Sequence, residues 1–122
     1  MSSDKRTQGK RAEQLAKAYL QTRGLKFIQS NYHCRMGELD LVMRELDTLV
    51  FVEVRLRRSA AFGTAAESVT RAKQDKLRCA ALHFMASRPD LASLAARFDV
   101  IALSSMAVED SCWIRNAFGA EH

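Results

Sequence analysis

Long apolar runs are missing: no stretch approaches the ~18 uninterrupted apolar residues that a membrane-spanning helix requires. The N-terminal segment "MSSDKRTQGKRAEQ" is charged, with no apolar signal segment behind it. Together these absences predict a soluble, cytoplasmic protein without a membrane partner. Cysteine is scarce. Cys34, Cys79 and Cys112 are odd in number, widely separated and form no C-x-x-C pair, which argues against both a disulfide framework and a zinc ribbon. The expectation is three buried, reduced thiols. Repeats, low-complexity tracts and linkers are absent too, and 122 residues suit one domain that buries about two thirds of its unfolded-chain surface without disulfides or a structural metal. A single domain over residues 1–122 is expected.

What the chain has in excess is positive charge. Lys and Arg number 19 against 14 Asp and Glu, a net charge of +5, the electrostatic footprint of a nucleic-acid binder or of a merely solvated basic surface. The basic residues are clustered: Lys5, Arg6, Lys10 and Arg11 form one group, Arg55, Arg57 and Arg58 a second, and Arg71, Lys73, Lys76 and Arg78 a third. Clustering favours the nucleic acid.

Residues 8–23 carry Ala12, Leu15, Ala16, Tyr19 and Leu20 at the spacing of an amphipathic helix, and Gly24 supplies its stop. A short strand, "LKFIQSNY", and a turn at "HCRMG" follow. Residues 38–43 and 48–56 are rich in Leu, Val and Phe around the polar "RELDT", which reads as a β-hairpin. A second helix is expected near 71–87, with Thr70 as N-cap, Pro89 past its end, and Leu77, Ala80, Ala81, Phe84 and Met85 on its buried face. "RFDVIALS" at 97–104 and "CWIRNAF" at 112–118 supply the last two strands. The order α-β-β-β-α-β-β predicts an α/β fold, a mixed sheet flanked by helices.

Within this pattern the acidic residues are out of place. In "FVEVR" the period of a strand sets Phe51, Glu53 and Arg55 on one face and Val50, Val52 and Val54 on the other. With a hairpin loop of Leu46-Asp47, or of the four residues Glu45 to Thr48, Asp40 stands directly opposite Glu53; an odd-length loop sends the two to opposite faces. Opposed side chains in an antiparallel pair have Cβ atoms ~4.5–5.5 Å apart, close enough for both carboxylates to hold one cation. Two such groups repel and need compensating charge. Either Arg55, Arg35 or another basic residue neutralises them as an ion-pair network, or a hard cation such as Mg²⁺ does so while joining them to a phosphate.

The blocks "GELDLV", "LVFVEVR", "TRAKQDKL", "RFDVIAL" and "WIRNAF", preceded by "GKRAEQLAKAYLQTRG", resemble the YraN family, small bacterial proteins grouped with restriction-endonuclease-like nucleases of the PD-(D/E)XK superfamily. The resemblance covers nearly the whole chain. It implies a restriction-endonuclease-like fold, a central mixed sheet of four to five strands flanked by helices, similar to Holliday-junction resolvases. It further implies a Mg²⁺- or Mn²⁺-dependent endonuclease acting on DNA, in branched or damaged form, and the homodimeric state common among junction enzymes. By that resemblance Asp40 matches the metal-binding aspartate, Glu53 the acidic residue of the D/E-x-K element and Val54 the adjacent metal-facing carbonyl. Glu13, on the first helix, matches an acidic residue that completes such sites; a solvated helix charge is its alternative.

Position 55 departs from that pattern, with Arg where lysine is expected. Arginine stays protonated and cannot serve as a general base, but it holds phosphate bidentately. Lys73 is the candidate replacement, against the simpler reading of a helix-surface lysine. Arg57, Arg58, Arg71, Lys73 and Lys76 are the candidate nucleic-acid contacts. The alternative function is a nucleic-acid-binding protein of the same fold whose cleavage is lost or depends on a partner.

Overall fold

The structure, a computed structural model, describes residues 5–57, 69–104 and 107–119, the side chains of 5, 57 and 107–111 excepted. Helix α1 (Lys5–Thr22) leads into strands β1 (Lys26–Cys34), β2 (Gly37–Glu45) and β3 (Thr48–Arg57), then α2 (Arg71–Ser87), β4 (Ala95–Ser104) and β5 (Ala107–Phe118). The five strands lie in sequence order in one sheet. Only β3 and β4 run parallel; the other neighbours are antiparallel. The expected α/β mixed sheet with flanking helices is therefore observed, and no helix among the described residues is long and apolar enough to cross a membrane.

Each helix seals one face of the sheet. Ala12, Ala16 and Leu20 of α1 pack on Leu41, Met43, Val50, Val52, Ile101 and Leu103. On the opposite face, Leu77, Ala80, Ala81 and Phe84 of α2 pack on Val42, Leu49, Phe51, Phe98, Val100 and Ala102. Burying a side chain of the Leu or Phe kind stabilises by about 1.5–3 kcal/mol, so both faces contribute heavily. Helix α2 begins at the expected cap: Thr70 Oγ1 accepts the Lys73 N–H at 3.2 Å. Its buried face also includes Arg78, which apolar spacing does not reveal. That charge is tolerated because its guanidinium donates to Gly119 O at 2.9 Å, Asp75 Oδ1 at 2.8 Å and Gln74 Oε1 at 3.2 Å.

The expectation of three buried thiols needs correction. All three cysteines are free, but Cys34 and Cys79 are half-buried and Cys112 is exposed. Cys112 lies on β5, an edge strand with a sheet neighbour on one side only.

The β2–β3 hairpin turns through the two residues Leu46 and Asp47, with Glu45 paired to Thr48. Its ladder then runs only as far as Leu41 opposite Val52. Beyond that point β2 continues against β1 down to Gly37, while β3 continues against β4 up to Arg57 beside Ser104. The sheet forks there. Asn31, which falls opposite Asp40 in the β1–β2 register, has φ 53°, a left-handed conformation that Asn tolerates better than most residues. Beside it the alternation of β2 slips, because Leu39 packs on the α2 side together with Val42 instead of on the α1 side with Leu41.

Gly37 fixes α2 against the end of this fork. A Cβ at that position would stand 3.0 Å from the Lys76 carbonyl oxygen, a backbone atom unable to rotate away. Gly37→Ala should therefore push the first half of α2 outward and cost about 1–3 kcal/mol, the usual range for overpacking. A urea midpoint equal to that of the parent protein would contradict this packing.

In the middle of β4, where it pairs with Val52 of β3, Asp99 is fully buried. It accepts from Arg97 Nε at 3.0 Å and Nη2 at 3.2 Å, Trp113 Nε1 at 2.9 Å and the Asn116 N–H at 2.9 Å. Arg97 also donates to Glu45 at 2.7 Å, tying the base of β2 to β4.

Candidate active site

Asp40 and Glu53 stand where β2 and β3 part. The Asp40 side chain takes the place of the next backbone acceptor: Val54 N–H donates to its Oδ2 at 2.9 Å. This bond holds one carboxylate oxygen in place. Val54, proposed from the resemblance as a carbonyl ligand, meets Asp40 through its amide.

Glu53 is only 6% exposed. Its Oε2 lies 3.2 Å from Arg55 Nη2 and 3.8 Å from Lys73 Nζ. Its Oε1 is buried without a hydrogen-bond partner. Burial, and then the neighbouring charge of Asp40, push the Glu53 carboxyl up to about 8, against the pull of Lys73 and Arg55. Protonated, Glu53 can hydrogen-bond Asp40; ionised, its Oε1 has no donor to meet it.

Stability depends on the Glu53 proton. The carboxyl ionises near 4.5 in the unfolded chain and near 8 in the folded one, so between those values the folded state binds the extra proton. Its contribution is complete below about pH 4.5 and is lost as pH rises through about 8. Without divalent cations, the unfolding free energy from urea titration should fall between pH 5 and pH 8.5 by an amount on the order of a few kcal/mol, and Glu53→Gln should flatten that slope. An identical slope in parent and variant would contradict the assignment.

Glu13 enters from α1. It is half-buried and its Oε1 has no partner. Burial first, then the charge of Asp40, raise its carboxyl above the ordinary range; an Asn31 hydrogen bond and Lys10 work the other way. Glu13, Lys10 and Asn31 line adjoining clefts of about 240 and 420 Å³. The simple picture of a solvated helix charge does not describe it.

Arg55 is one-third exposed, and its Nε is buried without a partner. Lys73, a helix-surface lysine on the simpler reading, reaches the carboxylate pair from the first turn of α2. Lys76 lines a third cleft of about 380 Å³ with Lys73, Arg35 and the β1–β2 turn. Arg71 is exposed at the start of α2. Arg58 and the side chain of Arg57 lie outside the described residues.

The structure thus joins Asp40, Glu53, Arg55 and Lys73, and sets Glu13 at the margin. Among the described residues no three His, Cys, Asp or Glu side chains have metal-holding spacing. Glu38 and His33 also line the Glu13 cleft, a placement the sequence did not reveal. Glu38 lies two positions before Asp40, the interval that returns a strand to the same face, and His33 is its cross-strand partner over the short Arg35-Met36 turn.

The sequence pattern of the uncharacterised protein family UPF0102 matches residues 12–103, a span containing Glu13, Asp40, Glu53, Arg55 and Lys73. The chain belongs to the UPF0102 family. It is 52% identical over 110 residues to a UPF0102 protein of Saccharophagus degradans, covering 90% of this chain and 91% of that one. A UPF0102 protein of Ralstonia nicotianae is 54% identical over 117 residues, 93% of this chain and 87% of its own. A third, from Nitrosococcus oceani, is 47% identical over 117 residues. Membership in UPF0102 agrees with the resemblance to YraN proteins seen in the sequence blocks.

Proposed function

We propose that this UPF0102 protein is a divalent-cation-dependent endonuclease that hydrolyses DNA phosphodiester bonds, in branched or damaged DNA and as a homodimer, with Asp40 and Glu53 holding Mg²⁺ or Mn²⁺. The observation that carries the reading is Glu53 Oε1, a buried carboxylate oxygen without a partner beside a second carboxylate. Such an atom costs stability unless a cation or a proton meets it. The donor set fits a hard cation, which takes oxygen ligands, keeps several waters and needs only one or two carboxylates when a phosphate completes its shell. Val54 would add its carbonyl to that set.

Bound there, the cation would polarise the scissile phosphate and lower the pKa of a water. The side chains do the rest. Asp40, held by the Val54 amide, keeps a fixed orientation, and Glu53 gives up its proton when positive charge arrives. Lys73, a compact ammonium, neutralises charge that grows on the phosphate during displacement. Arg55 grips a non-bridging oxygen and takes no part in proton abstraction. Glu13 serves as an auxiliary acid from α1. Arg57, Arg58, Arg71 and Lys76 are the proposed contacts to the DNA backbone, and each phosphate contact steepens the dependence on salt.

The test is to incubate pure protein with Mg²⁺ or Mn²⁺ and plasmid, single-stranded or four-way-junction DNA. Cleavage is expected, and Lys73→Met should slow it about 10²–10³-fold, as loss of one preorganised donor does. No cleavage of any substrate with either cation would end the nuclease reading.

One observation favours a second reading. The Arg55–Glu53 pair, at 3.2 Å, already supplies the positive charge that a cation would bring. On this view the protein is a nucleic-acid-binding module without its own cleavage. Salt-dependent DNA binding, equal in the parent and in Asp40→Asn and with no product from either, would support it.

A further inference from the structure

We propose that His33, held by Glu38, is the proton donor to the oxygen that leaves phosphorus; the inference rests on the nuclease reading above. His33 and Glu38 are direct cross-strand partners on the β1–β2 hairpin, with Nδ1 and Oε2 3.0 Å apart. Their side chains are 68% and 54% exposed. A pair so open to water adds only about 0–1 kcal/mol to stability, so folding gives little account of it. With Nδ1 held by a carboxylate, the ring has one orientation and one free nitrogen, Nε2.

Its position is what matters. His33 and Glu38 line the cleft that contains Lys10 and Glu13, and also the cleft that contains Lys73 and Lys76. They are shared by both. The Glu13 carboxyl is raised by the charge of Asp40 and, to a lesser degree, by that of Glu38, which sets the pair within electrostatic reach of Glu13, the acidic group at the margin of the site. A strand lying across both clefts would have lysines on either side and the imidazole beneath its phosphate.

The chemistry has a role for such a group. In hydrolysis the water oxygen bonds to phosphorus, the bond from phosphorus to the leaving oxygen breaks, and its electron pair departs on an alkoxide. That alkoxide must receive a proton. Arg55 does not release one near neutrality. Imidazolium Nε2 gives its proton to the departing oxygen; the proton shed by the attacking water passes to solvent, and His33 regains one from solvent before the next turnover. Glu38 acts as the positioning residue.

The experiment compares ordinary DNA with the same oligonucleotide carrying sulfur in place of the bridging oxygen that departs, as the product ends identify it. A thiolate leaves without protonation. His33→Gln should cleave ordinary DNA about 100-fold more slowly, within the range of general acid catalysis, and cleave the sulfur-bridged substrate at the parent rate. Glu38→Gln should show a smaller loss with the same recovery. Unchanged melting temperatures separate these effects from misfolding. An undiminished rate for His33→Gln on ordinary DNA, or equal losses on both substrates, overturns the proposal and leaves the nuclease reading standing. Absence of cleavage by the parent protein overturns both.

Discussion

Asp40→Asn should lose cation-dependent cleavage by about a thousandfold, because a carboxylate ligand helps deliver the several kcal/mol of charge stabilisation that a bound metal supplies, and 1.36 kcal/mol is tenfold in rate. The fold should survive. Asparagine still offers an oxygen to the Val54 N–H that Asp40 now accepts at 2.9 Å. Removal of the neighbouring negative charge also relieves one of the two main pressures that raise the Glu53 carboxyl. Without cation the variant should therefore unfold at the parent temperature or above it at pH 8. Initial rates on plasmid DNA, beside a thermal scan at that pH, separate a lost ligand from a damaged sheet. Undiminished cleavage would remove Asp40 from the site.

Asp99→Ala is expected to be the most destabilising single change, at about 3–5 kcal/mol, the usual cost of breaking a buried charge pair. Four donor groups converge on this carboxylate: two from Arg97, the Trp113 indole and the Asn116 amide. Alanine leaves the indole and the amide without their acceptor and Arg97 with Glu45 alone. Typical domains hold only ~5–15 kcal/mol in total, so the variant should lie close to unfolding at ordinary temperature. Urea titration at neutral pH measures it. A loss below about 1 kcal/mol would mean that Asp99 is not the joint between β4 and β5.

These two residues differ in how far they could be read from the sequence. The expectation of Asp40 directly opposite Glu53 depended on loop parity; the Leu46-Asp47 turn is one of the even loops, but the ladder ends at Leu41 opposite Val52, one pair short of them, and the charge of Asp40 is felt by Glu53 where the strands part. Thr70 as N-cap and helix α2 from Arg71 to Ser87 followed from local signals, as did the face shared by Glu53 and Arg55. The pairing of Asp99 with Arg97 was foreseeable from their spacing of two; the indole and amide of β5 were not, because a register shift between Phe98 and Val100 brings them in. Lys73 could be suspected, but its reach to Glu53 depends on where α2 docks, and that rests on the bare Gly37 against the Lys76 carbonyl. The early end of the β2–β3 ladder has no local signature at all, since Asn31 on a third strand accompanies it. Apolar spacing missed Arg78, and the number and separation of the cysteines misled on Cys112, for a related reason: each is decided by which partners or neighbours the tertiary fold brings to it.

The fork leaves two strand margins facing each other inside one sheet. Open margins of this kind invite another chain to zip in, and proteins commonly guard them with inward-pointing charge. Here Asp40, Glu53 and Arg55 provide that guard while the amide nearest the split is already occupied by Asp40. The same ionic lining that would receive a phosphate also makes these margins a costly place for another strand to pair, so an interruption of the hydrogen-bonded framework is matched by charges that discourage its being zipped shut.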